Sequence, residues 1–286
     1  MDTVNRIHTV RERVAAWRRE GLTVGLVPTM GNLHEGHLSL VQLALDRTDR
    51  VVVSVFVNPL QFGPGEDYGR YPRTAERDRE LLARAGVELV FAPTAFEMYP
   101  MGVERTTTVD SPELAGILEG HFRPGHFSGV ATVVTKLFNI VTPDVAIFGE
   151  KDYQQLIVVQ RLVRDLCLPI EIVPGPIMRE HDGLAMSSRN QYLSPGERHR
   201  AAHLHGALKS ARKRILDGER NWAEIEAEGM RVLAHEGFLP DYFSVRRALD
   251  LLPPREGDRE LVMLAAAKLG ETRLIDNVKV LVERGV

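Results

Sequence analysis

The run Leu22-Thr23-Val24-Gly25-Leu26-Val27-Pro28-Thr29-Met30-Gly31-Asn32-Leu33-His34-Glu35-Gly36-His37 decides the fold. Its first six residues are apolar and partly β-branched, as in a buried strand, and Leu38, Val41 and Leu45 then repeat at helical spacing. His34 and His37 therefore fall in a strand-to-helix crossover. Free amide N–H groups and the helix dipole attract anions at such a helix start, where polyphosphate chemistry is usually built. Gly36 leaves the backbone open to close approach of a ligand, and the two imidazoles can donate hydrogen bonds to phosphate oxygens. A protonated imidazole can also assist a departing pyrophosphate. Taken alone, an H-x-G-H tetrapeptide fits two loop histidines with surface partners; its place after a strand favours the anion site.

Apolar runs recur outward from this segment, at Val51 to Val57, Val87 to Ala92, Val145 to Phe148 and Ile170 to Val173, most of them separated by helix-length stretches. The alternation predicts a doubly wound, parallel α/β sheet. Ligands bind such sheets beyond the carboxyl ends of the strands. The segments found there are His34 to His37, Asn58-Pro59-Leu60-Gln61-Phe62, and Gly149-Glu150-Lys151-Asp152-Tyr153-Gln154-Gln155, and they are expected to converge on one crevice. A helix beginning near Lys151 puts Lys151, Asp152 and Gln155 on one face, offering a point charge, an acceptor for hydroxyls and an amide pair. A solvated helix end with an ordinary charge pair reads the same way. Gln61 follows a proline, which suits a rigid turn toward the sheet's upper edge, although a surface position is also compatible. The Gly- and Pro-rich segment 63–72 suits a mobile flap near the crevice.

Past Pro176 the pattern changes, which divides the chain at 1–176 and 177–286. Ser194-Pro195-Gly196-Glu197 has the form of a capping box with proline at the first helical position, and a second helix is expected over Trp222 to Glu236. Strand-like pieces at Tyr242 to Arg246, Leu261 to Ala267 and Arg273 to Asp276 then suggest a small α+β domain. Asp182-Gly183-Leu184-Ala185-Met186-Ser187-Ser188-Arg189-Asn190 joins the two parts. Its hydroxyls and guanidinium suit a clamp for the outer phosphates of a triphosphate; a hinge held by side-chain hydrogen bonds is the competing reading.

Composition narrows the function. A net charge of -3 argues against a nucleic-acid binder held by general electrostatics, and no segment approaches the length of a membrane span. Met1 to Glu20 mixes five arginines with Glu12 and Glu20, which fits an amphipathic surface helix and not a secretory signal, so cytoplasmic residence is expected. Cys167 is the only cysteine, which excludes disulfide frameworks, and its neighbours Leu166 and Leu168 suggest plain core packing. No Walker-type G-x-x-x-x-G-K-[ST], G-x-S-x-G or H-E-x-x-H occurs, which argues against P-loop NTPases and the commonest hydrolases.

One ordered set of motifs is more specific than any of these parts. Pro-Thr-Met-Gly-Asn-Leu-His-Glu-Gly-His (28 to 37), Phe-Val-Asn-Pro-Leu-Gln-Phe (56 to 62), Tyr-Pro-Arg-Thr (71 to 74), Arg-Pro-Gly-His-Phe (123 to 127), Phe-Gly-Glu-Lys-Asp-Tyr-Gln-Gln-Leu (148 to 156), Asp-Gly-Leu-Ala-Met-Ser-Ser-Arg-Asn (182 to 190) and Leu-Ile-Asp-Asn (274 to 277) closely resemble the pantothenate synthetases, or pantoate beta-alanine ligases, over almost the whole chain. The resemblance implies a Rossmann-like sheet of the nucleotidyltransferase type over 1–176, binding nucleotide and pantoate. It implies a smaller C-terminal α+β lid domain over 177–286, and a homodimer. It also implies ATP-dependent joining of (R)-pantoate and beta-alanine into pantothenate through a pantoyl adenylate, with AMP and pyrophosphate released and Mg2+ accompanying the ATP.

By motif, the resemblance assigns Met30, Gly31, Asn32, Leu33, His34, Glu35, Gly36 and His37 to ATP, with His37 as proton donor and His34 on the phosphates. Gly149, Glu150, Lys151 and Asp152 hold the nucleotide, Lys151 near the reacting phosphate, and Met178, Met186, Ser187, Ser188 and Arg189 complete the adenosine and phosphate contacts. Gln61 contacts pantoate and later beta-alanine, and Gln155 contacts pantoate; Asn58 and Arg123 match positions near the site. No protein metal ligand is implied. Arg247 departs from the family, which more often has an acidic residue there. The chemistry is coherent with these groups: a carboxylate approaching an α-phosphate of like charge needs several cationic donors, and His34, His37, Lys151 and Arg189 supply them without an enzyme nucleophile. An acyl adenylate must also be kept from water, which gives the flap and the lid a purpose. Two other readings remain open at this point: another adenylyl- or cytidylyltransferase with a different acceptor, and a catalytically silent nucleotide-binding or scaffolding protein.

Overall fold

The computed structural model describes residues 1–282, so the last four positions of the expected 177–286 domain lie outside the described residues. The chain folds as two compact units. One comprises Met1–Glu150 and Val158–Pro176, the other Lys151–Ile157 and the chain from Ile177 onward.

The first unit is built on a six-stranded sheet of β1 (Asp2–Val4), β2 (Val24–Thr29), β3 (Arg50–Val55), β4 (Leu89–Phe91), β5 (Val145–Gly149) and β6 (Glu171–Gly175). Its order is β1-β4-β3-β2-β5-β6, and every pairing is parallel. The connections run through α1 (Ile7–Arg19), α2 (Glu35–Leu45), α3 (Ala75–Arg84), the short α4 (Ala95–Met98), α5 (Pro112–Ala115) and α6 (Glu119–Phe122), then α7 (His126–Val141) and α8 (Tyr153–Asp165). Near-continuous apolar strands are what two covered faces require. Helix α2 packs on β2, β3, β5 and β6, and α7 packs on β2 and on α1. Val27, Leu33, Val41, Val51 and Val53 share one buried cluster, where truncating a side chain to alanine typically costs about 2–5 kcal/mol.

Three local expectations are corrected. The amino terminus does not begin as a helix: residues 2–4 form β1, in register with Leu89 to Phe91, and α1 starts only at Ile7. Cys167 is exposed, not a core residue, because it takes a left-handed conformation (φ 53°) in the turn that ends α8. The helix expected near Lys151 starts at Tyr153; Glu150–Asp152 form a tighter 3-10 turn, so Lys151 and Asp152 do not share an α-helical face with Gln155.

The second unit holds α9 (Pro195–Ala201), α10 (His203–Leu216) and α11 (Trp222–His235), followed by β7 (Leu239–Arg247), β8 (Glu260–Leu269) and β9 (Thr272–Leu281). The strands form an antiparallel sheet in sequence order, with α10 against β8 and β9 and α11 against β7. Ser194 and Glu197 close the capping box read from the sequence: the Ser194 N–H donates to Glu197 Oε2 at 2.8 Å, and the Glu197 N–H to Ser194 Oγ at 3.4 Å. No described helix is long and apolar enough to cross a membrane.

Candidate active site

The strand order of the first unit reverses at β2, with β3 and β4 to one side and β5 and β6 to the other. The carboxyl end of β2 is thus the switch point, where an open parallel sheet leaves room for a ligand. Residues 30–34 leave β2 there. Gly31 (φ 82°) and Asn32 (φ 49°) both take left-handed backbone, and a Cβ on Gly31 would approach Val55 Cγ1 and Asp78 Oδ2 at 3.0 Å. The turn is locked from α3. Asp78, 2% exposed, accepts the Asn32 and Leu33 N–H groups at 2.9 Å each, and its Oδ1 also accepts the Thr74 hydroxyl at 3.0 Å. Leu33 itself points into the core, so any contact it makes with a ligand is through its backbone.

His34 is the N-cap of α2 and His37 its third residue, in the reciprocal arrangement of a capping box. The His34 N–H donates to His37 Nδ1 at 3.3 Å, and the ring centroids lie 4.0 Å apart. An accepting Nδ1 leaves the neutral ring's proton on Nε2, as a donor. Glu35 opens the helix and is exposed.

The segment after β3 meets this turn directly. Gln61 is buried, and its amide Nε2 lies 3.1 Å from Met30 Sδ. Asn58, 1% exposed, donates to Gln61 Oε1 at 3.2 Å and to the Gly129 carbonyl at 3.1 Å, while its own Oδ1 accepts the Tyr99 hydroxyl at 2.7 Å. Burial pushes the Tyr99 phenol above its ordinary range and keeps it a donor. Helix α7 comes so close that a Cβ on Gly129 would fall 2.2 Å from the Leu60 carbonyl oxygen. The Gln61 carbonyl accepts from His126 Nδ1 at 2.8 Å and from Arg123 Nη2 at 3.3 Å. Burial and then the Arg123 charge push the His126 imidazole down to about 4, against its bond to Gln61 and the nearby Glu119 and Glu66. Arg123 also donates to both carboxylate oxygens of Glu66 at 2.6 Å, tying the 63–72 segment to the start of α7. That segment is packed through Phe62, Tyr68 and Tyr71, whose ring centroids lie 5.4 and 5.9 Å from Phe62. Gly149 ends β5, the strand beside β2, and Glu150 opens the 3-10 turn that follows.

Lys151, Asp152 and Gln155 belong to the second unit, together with Met178 and the 186–189 segment. Lys151 Nζ lies 3.8 Å from Asp152 Oδ1. Residues 178–186 form a hairpin: Arg179 and Ala185 make an antiparallel bridge, and the Met186 N–H donates to the Met178 carbonyl at 3.0 Å. Met178 is exposed, and Ser188 is buried. Ser187 caps the 3-10 turn Ser188–Tyr192, its hydroxyl accepting the Arg189 N–H at 3.3 Å. Asp182 braces the hairpin's tip, accepting from Arg198 at 2.5 Å and from the Leu184 N–H at 3.2 Å. Asp78 and Tyr99 escaped the sequence reading, which gives no role to Glu66 and His126 although they lie in the 63–72 segment and the 123–127 motif. Asp78 left one usable signal, a carboxylate on the apolar stripe of α3 with Leu81 and Leu82 three and four residues on.

Comparison with known proteins adds to this geometry. The family model described as pantoate-beta-alanine ligase matches residues 2–279. The chain is 55% identical over 284 residues to the pantothenate synthetase of Alkalilimnicola ehrlichii, covering 99% of each chain. Among solved structures it is similar to the pantothenate synthetase of Thermus thermophilus, with 50% identity, a TM-score of 0.90, and 97% of this chain and 99% of that one covered. It is also similar to the pantoate-beta-alanine ligase of Francisella tularensis complexed with beta-gamma ATP and beta-alanine, with 33% identity, a TM-score of 0.80 and 97% of each chain covered.

Proposed function

The chain belongs to the pantoate-beta-alanine ligase family, and on that premise we propose that its ATP-dependent ligation runs through a pantoyl adenylate. In the first step an (R)-pantoate carboxylate oxygen attacks the α-phosphorus of magnesium-bound ATP, and the bond to the β-phosphate breaks to release pyrophosphate. In the second, the beta-alanine nitrogen attacks the acyl carbon, AMP leaves with the electrons of the C–O bond, and the nitrogen's surplus proton passes to solvent. Family membership with a ligase replaces both the transferase and the silent-binder readings.

The observation that carries this reading is the paired His34 and His37 on the first turn of α2 at the switch point, with His37 Nε2 left as a donor. We assign His37 to proton or hydrogen-bond donation as charge develops on the phosphates, and His34, Lys151 and Arg189 to the same charge. Met30 to Gly36, Gly149, Glu150, Asp152, Met178, Met186, Ser187 and Ser188 are assigned to ATP. Gln61 is assigned to pantoate and then beta-alanine, and its fixed position between Met30 and Asn58 supports a recognition role. Gln155 is assigned to pantoate. A homodimer and cytoplasmic residence belong to the same proposal; sedimentation velocity tests the first. The function is tested by mass-spectrometric detection of AMP, pantoyl adenylate and pantothenate from purified protein, ATP, magnesium and (R)-pantoate, with and without beta-alanine. Adenylate without beta-alanine, and pantothenate in step with AMP when it is added, is the expected result; pantothenate with no adenylate in a rapid quench overturns the stepwise route.

A further inference from the structure

Leu-Ile-Asp-Asn (274 to 277) stands out in the sequence but has no role in the chemistry above. The structure places its last two residues, both on β9, under two segments assigned to ATP. Asp276 is 4% exposed, and its carboxylate accepts Arg179 Nη1 at 2.7 Å and Nη2 at 3.0 Å. The same guanidinium donates to the Gly183 carbonyl at 3.0 Å and to the Asn277 carbonyl at 3.2 Å. Arg179 thus holds the base of the 178–186 hairpin, its tip and β9 with one planar group, a geometry that lysine could not reproduce. Asp276 Oδ1 also accepts the Asn277 N–H at 2.7 Å, and His205 Nδ1 lies 3.5 Å from Oδ2. Burial raises the pKa of this carboxyl, and its neighbours His205 and Arg179 outweigh burial, so it stays ionised. Asn277, 2% exposed, donates its amide to the Lys151 carbonyl at 3.0 Å.

A buried pair of this kind adds little stability over an apolar substitute, and in some proteins what it contributes is a fixed geometry. Here the fixed objects are the hairpin leading into Met186–Arg189 and the backbone of Lys151. We propose that Asp276 and Asn277 are positioning residues for ATP, Asp276 acting through Arg179 on the 186–189 segment and Asn277 through the carbonyl of Lys151, neither touching substrate. The proposal rests on the assignment of Lys151 and Arg189 to ATP.

The test compares Asn277→Ala and Asp276→Asn with Lys151→Ala and Arg189→Ala in the full-length enzyme. The readouts are KM for ATP, the rate of pyrophosphate release without beta-alanine, the rate of the beta-alanine step from preformed pantoyl adenylate, and Tm. Asn277→Ala, which removes the amide donor to the Lys151 carbonyl, keeps the test decisive if Asp276→Asn does not fold. For Asn277→Ala the expected result is a roughly tenfold higher KM for ATP with slower pyrophosphate release, the beta-alanine step staying within about twofold. Equal losses in both half-reactions alongside a lower Tm, or an unchanged KM for ATP, overturn the proposal while the Lys151 and Arg189 assignment stands if those variants are impaired. If Lys151→Ala and Arg189→Ala leave adenylate formation intact, the site assignment fails and the proposal falls with it.

Discussion

The Asp78 carboxylate receives the Leu33 N–H at 2.9 Å, so a residue of α3 fixes the turn from which His34 enters α2. The adjoining Asn32 N–H goes to the same carboxylate, which is buried. Asp78→Ala leaves two backbone donors without this acceptor, which should destabilise the fold by about 2–5 kcal/mol. Because the released turn carries the histidines, pyrophosphate release should fall at least about tenfold even where the variant remains folded. Thermal unfolding and a stopped-flow pyrophosphate assay check both halves; a folded variant with wild-type release would show that the turn holds itself.

His37 accepts the His34 N–H at Nδ1, which puts the neutral ring's proton on Nε2, the atom proposed above to donate to phosphate. His37→Ala should lower adenylate formation by about two to four orders of magnitude, the range for lost acid catalysis and oxyanion stabilisation. The beta-alanine step from preformed pantoyl adenylate should change far less. Unchanged pyrophosphate release in this variant would remove the role.

Much of the sheet was legible because parallel strands buried on both faces announce themselves as apolar runs: Val51 to Val57 and Val145 to Phe148 became β3 and β5. The histidine helix was legible for the same reason, its apolar period beginning where the strand stops. Asp2–Val4 was not, since three residues at a sheet edge carry no period of their own and are strand only by pairing with β4. The supports of the site were hidden for a related reason. Asp78, Tyr99 and His126 act on Leu33, Asn58 and Gln61 from 45, 41 and 65 residues away, and no local pattern encodes such a pairing. Cys167 misled because flanking leucines say nothing about the left-handed turn that exposes it.

His126 gives the fold a specific acid response. Its folded pKa of about 4 lies below the ordinary 6.5, owing to burial and Arg123, so between these values the unfolded chain binds the extra proton and the native one does not. Its contribution is therefore complete above about pH 6.5 and is lost as pH falls toward 4, by at most about 3 kcal/mol. Carboxylates such as Glu66 and Asp276, held below their usual range, act at lower pH. Urea unfolding at pH 7, 5.5 and 4.5 should show the decline, and His126→Gln should flatten it; parallel curves for the two proteins would assign the loss elsewhere.

Arg247, read from the sequence resemblance as a departure from the family pattern, is absorbed locally. Its guanidinium forms a bidentate pair with Asp250, three residues on, and Asp250 also accepts the Leu252 N–H at 3.1 Å, closing the turn after β7. The pair is partly exposed and screened by water, so Arg247→Ala should lower Tm by no more than about 2 °C. KM and kcat should be unchanged. Calorimetry and steady-state kinetics check this, and a change in kcat would give Arg247 a role beyond its turn.

Tyr99 stands behind Asn58, which in turn holds Gln61, a residue assigned to pantoate. Its hydroxyl reaches Asn58 Oδ1 at 2.7 Å, and the Asn58 amide reaches Gln61 Oε1 at 3.2 Å, so the phenol helps fix which way both amides face. With Tyr99→Phe the Leu60 N–H still reaches Asn58 Oδ1, at 3.3 Å, so the loss is one hydrogen bond of about 1 kcal/mol with little change in packing. If Gln61 reads pantoate, a loosened amide should raise KM for pantoate by about three- to tenfold and leave KM for ATP unchanged, since the ATP-assigned turn is held by Asp78 instead. Steady-state kinetics with each substrate varied in turn separates the two. A rise in both constants would mean that the Asn58 network supports the whole carboxyl edge of the sheet, and no rise in either would reduce the Tyr99 hydroxyl to a fold contact.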